Sequence, residues 1–460
     1  MSAVTTVEPH YASTRNACKL CSPLGACIAM RGIEGCIPLL HGSQGCSTYI
    51  RRYGISHFRE PIDIASSNFT EQTTIFGGKE NLFTALDNIS RFYRPAAIGV
   101  ASTCLSETIG ENLPMYIKQY ESERASGLRN NGGCNPVVFF ASTPSYKGTH
   151  MDGFHEAVYA AVSVLAKKSA NEGRINVVSN FVSAEDLRHL RDILDSFSAP
   201  YTLLPDYSES LDGASWETYQ KLPSGGTAIS DIEKMGGARA TICLGSSLPS
   251  ERDAGAFLRD RFGVECEYLD LPIGIENCDR FFEALSRVSA KQSADRFVKE
   301  RGRLIDAYID GHKYVGGKRA IVYGEEDFVA AIASFLDEIG VIPVIAATGA
   351  QSARFRERVR AALKNCREET EVIDDTDFVS ILAKAKRREC DFIIGHSKGL
   401  YIARELGVPL VRCGFPIHDR IGAQRILHLG YRGTLNLFDL VCNALMEAKQ
   451  DQAAAGYTYI

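Results

Sequence analysis

The sequence predicts an α/β protein with three doubly wound domains built on parallel sheets. Short apolar, β-branched segments that end in glycine or serine turns recur along the chain and alternate with amphipathic helical segments. This alternation is typical of parallel sheets covered by helices. With 460 residues, the chain is also too long for one hydrophobic core and is expected to form two or three domains.

The strands and helices follow from these patterns in chain order. Strands are predicted at residues 36–40, 97–102, 137–141, 175–179, 240–244, 320–323, 342–346, 392–394 and 409–412. Helices are predicted at 152–167, 184–197, 327–339 and 352–363, with a long polar helical stretch over 279–310. A polar segment at 167–174 and the glycines Gly316 and Gly317 each precede a new strand. These breaks place the domains at 1–170, 171–300 and 301–460.

The composition argues against several classes of function. The formal net charge of −5 does not indicate binding to nucleic-acid phosphates. No apolar run reaches the roughly 18–20 residues of a membrane helix, and the first residues lack the basic and apolar parts of a secretory signal, so a cytoplasmic location is expected. There is neither a G-x-x-x-x-G-K-[ST] loop nor a G-x-G-x-x-G turn. If the system uses ATP, another protein is expected to hydrolyse it.

Fourteen cysteines are present, and five of them lie within the first 46 residues. In a long cytosolic chain most are expected to be small buried hydrophobic residues, including Cys243, Cys390, Cys413 and Cys442. Cys18 and Cys21 form a C-x-x-C pair, but no second close pair completes a structural zinc site. A redox pair of the thioredoxin kind would follow a strand, and this one precedes the first predicted strand.

An iron–sulfur group is the alternative that explains a set of cysteines beside glycine-rich turns. Cys21 and Cys46 stand beside such turns, and glycine lets the backbone approach a bulky cluster. A helix that starts at about Ser47 would direct the positive end of its dipole to such an anionic group. Cys104 and Ser145 lie in turns after two strands of the same predicted domain. Because parallel strands end at one edge of a sheet, the four groups are expected to converge.

Other polar residues have simpler interpretations. His41 and His57 are interpreted as histidines hydrogen-bonded in turns rather than as ligands. Asp306 and Asp310 share one face of a predicted helix, and a solvated acidic face explains them better than a cation site does.

The motifs of this chain resemble those of the β subunit of nitrogenase component 1, and the likeness covers nearly the whole sequence. The matching segments are Cys21-Ser-Pro-Leu-Gly-Ala26, His41-Gly-Ser-Gln-Gly-Cys46, His57-Phe-Arg-Glu-Pro61, Thr70-Glu71, Phe76-Gly-Gly78, Cys104-Leu-Ser-Glu-Thr-Ile-Gly110, Thr143-Pro-Ser145, Lys299-Glu-Arg-Gly302, Gly395-His-Ser-Lys-Gly399 and Gly414-Phe-Pro416. The resemblance implies three Rossmann-like domains of the nitrogenase component 1 type, an oxidoreductase activity and an α2β2 heterotetramer.

The resemblance also implies site residues, cofactors and partners. Cys21, Cys46 and Cys104 match the β-side ligands of the [8Fe-7S] P-cluster, which is shared with an α subunit, and Ser145 matches a serine that ligates the oxidised cluster. The active-site iron–sulfur cofactor would lie in the α subunit, and an ATP-hydrolysing iron protein would deliver electrons. Glu60, Asp306 and Asp310 match positions of a cation between two β chains.

The subgroup is inferred by elimination. The related cofactor-assembly scaffold usually lacks counterparts of Cys21 and Cys104, and the dark-operative chlorophyll-pathway enzymes lack the full cysteine set. Molybdenum nitrogenase β subunits carry a long N-terminal extension, whereas the vanadium and iron-only types differ around Cys46 and Cys104. This leaves a nitrogenase-like reductase, with methylthio-alkane reductase as the leading candidate. It would cleave C–S bonds to give methanethiol and a hydrocarbon. Dinitrogen reduction and a role as an assembly scaffold are the alternatives.

Overall fold

The computed structural model describes residues 18–129, 133–245, 247 and 252–453, and within them three parallel sheets follow one another along the chain. The strands are β1 (Cys36–His41), β2 (Ala65–Ser66), β3 (Ala97–Ser102), β4 (Val137–Ala141), β5 (Ile175–Val178), β6 (Tyr201–Leu204), β7 (Ala240–Leu244), β8 (Glu265–Leu269), β9 (Arg319–Gly324), β10 (Ile342–Thr348), β11 (Glu371–Ile373), β12 (Phe392–Gly395) and β13 (Leu410–Arg412). Their orders are β2-β1-β3-β4, β6-β5-β7-β8 and β11-β10-β9-β12-β13.

Helices connect these strands. They are α1 (Ser22–Arg31), α2 (Gln44–Phe58), α3 (Glu71–Phe76), α4 (Lys79–Phe92), α5 (Cys104–Thr108), α6 (Leu113–Ala125), α7 (His150–Leu165), α8 (Ala184–Ser196), α9 (Ile229–Glu233), α10 (Ala254–Phe262), α11 (Ile275–Ser289), α12 (Asp295–Val315), α13 (Glu326–Glu338), α14 (Ala353–Ala362), α15 (Phe378–Ala385), α16 (Leu400–Leu406) and α17 (Gly430–Asp451). Within the described ranges, none of them combines the length and apolar character needed to cross a membrane.

The α/β class with parallel sheets is confirmed, and each predicted strand has a counterpart within two residues at either end. The three sheets lie within the three predicted intervals, although the domain boundaries themselves stay a prediction. The polar stretch over 279–310 is not one helix. It comprises α11 and α12, which are separated at Ala290, where the backbone takes a left-handed φ of 58° and ends the first helix.

Helix α1 lies in the interior, and all ten of its residues are buried. It packs on α7 so closely that a Cβ on Gly25 would lie 1.6 Å from the His150 carbonyl oxygen. On the facing helix, a Cβ on Gly153 would lie 1.8 Å from the Ser22 carbonyl oxygen. Only glycine permits this approach, so the two glycines fix where α1 begins.

A buried histidine cluster lies where the sheets meet. His57, in the last turn of α2, accepts a hydrogen bond at Nδ1 from the Ile417 N–H at 3.0 Å, and its ring lies 4.7 Å from that of Phe415. His396 follows β12 and is also buried. Burial lowers the pKa of His57 from 6.5 to about 3 and that of His396 to about 3. Both rings are therefore neutral in the folded protein near pH 7.

Replacement of Gly25 by alanine should lower the thermal unfolding midpoint by several degrees, because the new methyl group overlaps a backbone carbonyl that flexible side chains cannot relieve. Gly302→Ala is the matched control, since Gly302 is also helical but has nothing within 4 Å of the new Cβ. That variant should melt with the wild type or slightly above it. Equal melting of both variants would contradict the packing argument.

Stability should fall as the pH drops from about 6.5 to about 3. In this window the unfolded histidines bind protons and the buried ones do not, so protonation favours the unfolded state. His57→Asn should reduce the slope of unfolding free energy against pH by up to about 1.4 kcal/mol per pH unit. His312→Asn, which replaces an exposed histidine, is the matched control. Denaturant titrations across this pH range would measure the slope, and an unchanged slope in His57→Asn would refute the prediction.

Candidate functional site

Three of the fourteen cysteines differ from the rest in exposure. All fourteen are described and free, and only Cys21, Cys46 and Cys104 are exposed. The buried ones are Cys18, Cys27, Cys36, Cys243, Cys278, Cys366, Cys413 and Cys442, and the half-buried ones are Cys134, Cys266 and Cys390. A thiol is usually among the most buried side chains, so three exposed thiols require an explanation other than packing.

Each exposed thiol stands at the start of a helix. Cys21 is the N-cap of α1, Cys46 lies in the first turn of α2, and Cys104 is the first residue of α5. The helix predicted to start near Ser47 therefore begins three residues earlier, at Gln44. The positive ends of helix dipoles favour anions, so an anionic group bound at these positions would lie in a favourable potential.

Hydrogen bonds hold the ends of β1, β3 and β4 together beneath these helices. The Thr103 hydroxyl donates to the His41 carbonyl oxygen at 3.0 Å, and the Thr143 hydroxyl donates to the Ser102 carbonyl oxygen at 2.6 Å. A Cβ on Gly42 would lie 2.4 Å from Thr103 Oγ1, so the loop after β1 approaches β3 only because glycine is there. The turns that carry Cys46, Cys104 and Ser145 therefore leave the same edge of the sheet.

Ser145 connects two of the thiols. Its backbone N–H donates to Cys104 Sγ at 3.3 Å, and its Oγ accepts from the Ser22 N–H at 3.2 Å. The Ser145 hydroxyl also donates to the Cys21 sulfur. The structure thus brings Cys21, Cys104 and Ser145 into direct contact, with Cys46 close enough to act on Cys21 electrostatically.

The charge state of Cys21 depends on its neighbours. Surrounding protein raises the pKa of the Cys21 thiol by desolvation, although part of the side chain reaches solvent. The hydrogen bond from Ser145 and the positive charge of Lys398 lower that pKa, whereas Cys104 and Cys46 raise it, because neighbouring thiolates repel. A group that neutralises all three thiolates would remove this repulsion.

Sequence reasoning missed three residues beside the thiols. Tyr49 and Tyr53 have ring centroids 4.7 Å apart, and Lys398 Nζ lies 5.8 Å from the centroid of Tyr53. The tyrosines follow Cys46 at positions i+3 and i+7 of α2, and this helical spacing would have identified them. Lys398 lies in the Gly395–Gly399 turn, which was one of the matching motifs. This turn follows a strand of the third sheet, so only the tertiary structure brings Lys398 to the thiols.

The other polar residues singled out in the sequence are not grouped with the three thiols. His41 is buried with Nε2 at 3.5 Å from Glu111 Oε2, and His57 takes part in the hydrogen bond to Ile417. Asp306 and Asp310 are exposed on α12. Among the described residues, no three His, Cys, Asp or Glu side chains gather tightly enough to hold one metal ion. A cation at Glu60, Asp306 and Asp310 would therefore need a second chain.

The donor set fits an iron–sulfur cluster better than a single ion. Three thiols and one hydroxyl face a common edge and are open on one side, and their spacing exceeds that of a mononuclear site. Thiolates are the usual ligands of such clusters, and helix N-termini supply N–H groups and positive potential for them.

Known proteins are similar to this sequence along nearly its whole length. A model of the family described as "Nitrogenase component 1 type Oxidoreductase" matches residues 21–446. The nitrogenase molybdenum-iron protein beta chain of Clostridium pasteurianum is 37% identical, over 94% of this chain and 93% of its own. That of Methanothermobacter thermautotrophicus is 34% identical, over 97% of each chain. Because these relatives match nearly end to end, chain length does not distinguish this protein from molybdenum-iron beta chains.

Solved structures agree with the sequence likeness. A chain of the structure described as "Nitrogenase Cp1 at pH 6.5" superposes with a TM-score of 0.93 at 35% identity, covering 99% of this chain and 98% of that one. A chain of "Nitrogenase Cp1 at pH 5" has a TM-score of 0.69 at 16% identity, which shows a shared fold alone. With the family match over most of the sequence, this chain belongs to the nitrogenase component 1 type oxidoreductases and is a β-type member of that family.

Proposed function

We propose that this chain is the electron-relaying β subunit of a nitrogenase-type reductase. Cys21, Cys46 and Cys104 would hold the β side of an [8Fe-7S] P-cluster, and an α subunit would supply the other side. An ATP-hydrolysing iron protein would donate electrons, and the active-site iron–sulfur cofactor would lie in the α subunit of an α2β2 heterotetramer in the cytoplasm. The observation that carries this proposal is that the three exposed thiols are the three that match the family's ligand motifs.

The protein groups around the thiols suit this role. When bound, the cluster would store and pass on electrons. The helix starts and the positive charge of Lys398 would stabilise an anionic cluster bound to the three sulfurs. The Ser145 hydroxyl already contacts Cys21, so its oxygen is placed to become a ligand when more oxidised irons favour a harder donor.

The exposed face around the thiols suits coverage by another chain. Tyr49 and Tyr146 flank Cys46 and Ser145 in sequence and are 48% and 59% exposed. Ile75 and Phe76 of α3 are 75% and 85% exposed. The Gly78 N–H at the end of this segment donates to Glu111 Oε1 at 2.6 Å, and Glu111 faces His41 at the end of β1. Large exposed apolar side chains are typical of interfaces between chains. Their presence on this face supports the proposal that a partner covers the thiols and supplies the other cluster ligands.

Two reactions and one non-catalytic role are candidates for the function of the complex. Reductive C–S cleavage of methylthio-alkanes is the first candidate, and it is compatible with the segments around Cys46 and Cys104, which differ from the vanadium and iron-only patterns. Dinitrogen reduction is favoured by relatives at 32–37% identity that are named molybdenum-iron beta chains. A scaffold for cofactor assembly is the third candidate, and the three thiols together argue against it.

Replacement of Cys21, Cys46 or Cys104 by alanine should remove the eight-iron cluster, because each thiolate is proposed to bind it directly. Iron quantitation and EPR at stepped potentials on the anaerobically purified complex would measure the loss. Cys134→Ser is the matched control, since the half-buried Cys134 thiol donates a hydrogen bond to the Pro95 carbonyl oxygen at 3.2 Å. This variant should retain the iron. A four-iron cluster unaffected by Cys21→Ala or Cys104→Ala would favour the scaffold.

The substrate test uses the complete complex with its iron protein and ATP. Dimethyl sulfide should yield methane and methanethiol if the enzyme cleaves C–S bonds, whereas dinitrogen should yield ammonia if it is a nitrogenase. Both assays are run on the same preparation, with omission of ATP as the control for non-enzymatic reduction. Ammonia without methane from the sulfide would refute methylthio-alkane reduction while leaving the electron-relay role intact.

A further inference from the structure

Two further thiols lie side by side in the second sheet. Cys243 of β7 and Cys266 of β8 have sulfur atoms 3.5 Å apart. The parallel register pairs Thr241 with Cys266 and Cys243 with Tyr268, so the two cysteines are diagonal neighbours on one face. Cys243 is buried, whereas Cys266 is half-buried on a strand at the edge of the sheet. Neither belongs to the exposed set described above.

The pair occupies a space that helix α10 leaves open. A Cβ on Gly255 would lie 2.4 Å from Cys266 Sγ and 2.6 Å from Cys243 Sγ, so a side chain there would displace the sulfurs. Asp253 Oδ1 lies 3.2 Å from the same point, and the Gly255 N–H hydrogen-bonds to the Cys243 sulfur. The thiols thus face the N-terminal turn of a nine-residue helix and a buried carboxylate.

The two thiols are unequal. The two sulfurs share a hydrogen bond in which either can be the donor. This bond lowers the pKa of Cys266, and the Tyr268 hydroxyl, which donates to the Cys266 sulfur, lowers it further. Burial and the Asp253 carboxylate oppose this effect. The pKa of Cys243 is raised, first by that hydrogen bond and then by burial. Cys243 is buried and Cys266 is half-buried, so Cys266 is the thiol that a solvent-borne disulfide reaches first.

We propose that Cys243 and Cys266 form a redox-responsive dithiol that low-molecular-weight disulfides oxidise to an intrachain disulfide. The Cys266 thiolate attacks one sulfur of the small disulfide, forming a mixed disulfide and releasing one small thiolate. Cys243 then loses its proton and attacks the Cys266 sulfur, so that the protein S–S bond forms and the second small thiol leaves. The two protein thiols lose two electrons and two protons, and the small disulfide becomes two thiols.

The sheet geometry allows the bond with a limited movement. A disulfide has a sulfur–sulfur bond of about 2 Å, and the two sulfurs already lie 3.5 Å apart. Strand β8 pairs with β7 alone, so a small adjustment of β8 that closes this gap disturbs no ladder on its other side. The bond would tie the edge strand to the sheet.

The test exposes the anaerobically purified complex to oxidised glutathione, alkylates the remaining thiols and maps the peptides by mass spectrometry. We expect a Cys243–Cys266 linked peptide that lacks two hydrogens and disappears on treatment with dithiothreitol. Cys243→Ser should stop the reaction at a glutathione adduct on Cys266. Cys266→Ser should leave Cys243 free. Cys134→Ser, which removes a half-buried thiol elsewhere, should form the linked peptide like the wild type.

Two results would overturn the proposal. One is a stable glutathione adduct on Cys266 in the wild-type chain, because Cys243 would then fail to resolve it. The other is two unmodified thiols under conditions in which exposed thiols of the same complex react. Peptide mapping of the oxidised wild-type chain distinguishes these results even if a serine variant does not fold. Neither outcome bears on the cluster ligands, which lie on another sheet.

Discussion

The close contact of α1 with α7 is the constraint on which the site depends. Helix α1 is buried along its whole length, and the chain at its two ends is tied to two other sheets. Before it, the Cys18 carbonyl accepts from the Gly349 N–H at 3.1 Å in the loop after β10, and after it, the Gly32 carbonyl accepts from the Asp206 N–H at 3.0 Å. The segment from Cys18 to Gly32 is therefore hydrogen-bonded to the loops that follow strands of the second and third sheets, and the position of Cys21, the N-cap of α1, depends on both.

The same arrangement explains why the thiols are both fixed and exposed. Their backbones belong to helix starts and strand ends that are hydrogen-bonded from within, while their side chains extend beyond the sheet edge. Ser145 joins Cys104 to the start of α1, so a shift of either element would be transmitted to the other. Thiols held in this way lose little conformational entropy on binding a cluster, because the entropy was lost on folding.

Sequence reasoning found every central strand of the three sheets, together with the edge strands β4 and β13, and missed four other edge strands. The missed strands β2, β6, β8 and β11 all lie at sheet edges. Strand β8, Glu265-Cys-Glu-Tyr-Leu269, and strand β11, which begins at Glu371, carry charged residues and so lack the continuous apolar run of a central strand. Strands β2 and β6 carry no charge but have only two and four residues. The site divided in the same way. Cys21 and Cys46 were predicted from glycine-rich turns and Cys104 from its position after a strand. Lys398 was not predicted, because its position depends on packing between sheets.

Assembly should change the electrostatics of the site as well as complete its ligands. In the chain alone, water near the exposed thiols screens both the attraction of Lys398 and the repulsion among the sulfurs. A partner that covers Tyr49 and Phe76 would exclude that water and lower the local dielectric constant, which strengthens both effects. Three uncompensated thiolates would then destabilise the covered site. The positively charged irons of a cluster would offset this repulsion. Coverage by the partner and binding of the cluster are thus expected to stabilise each other.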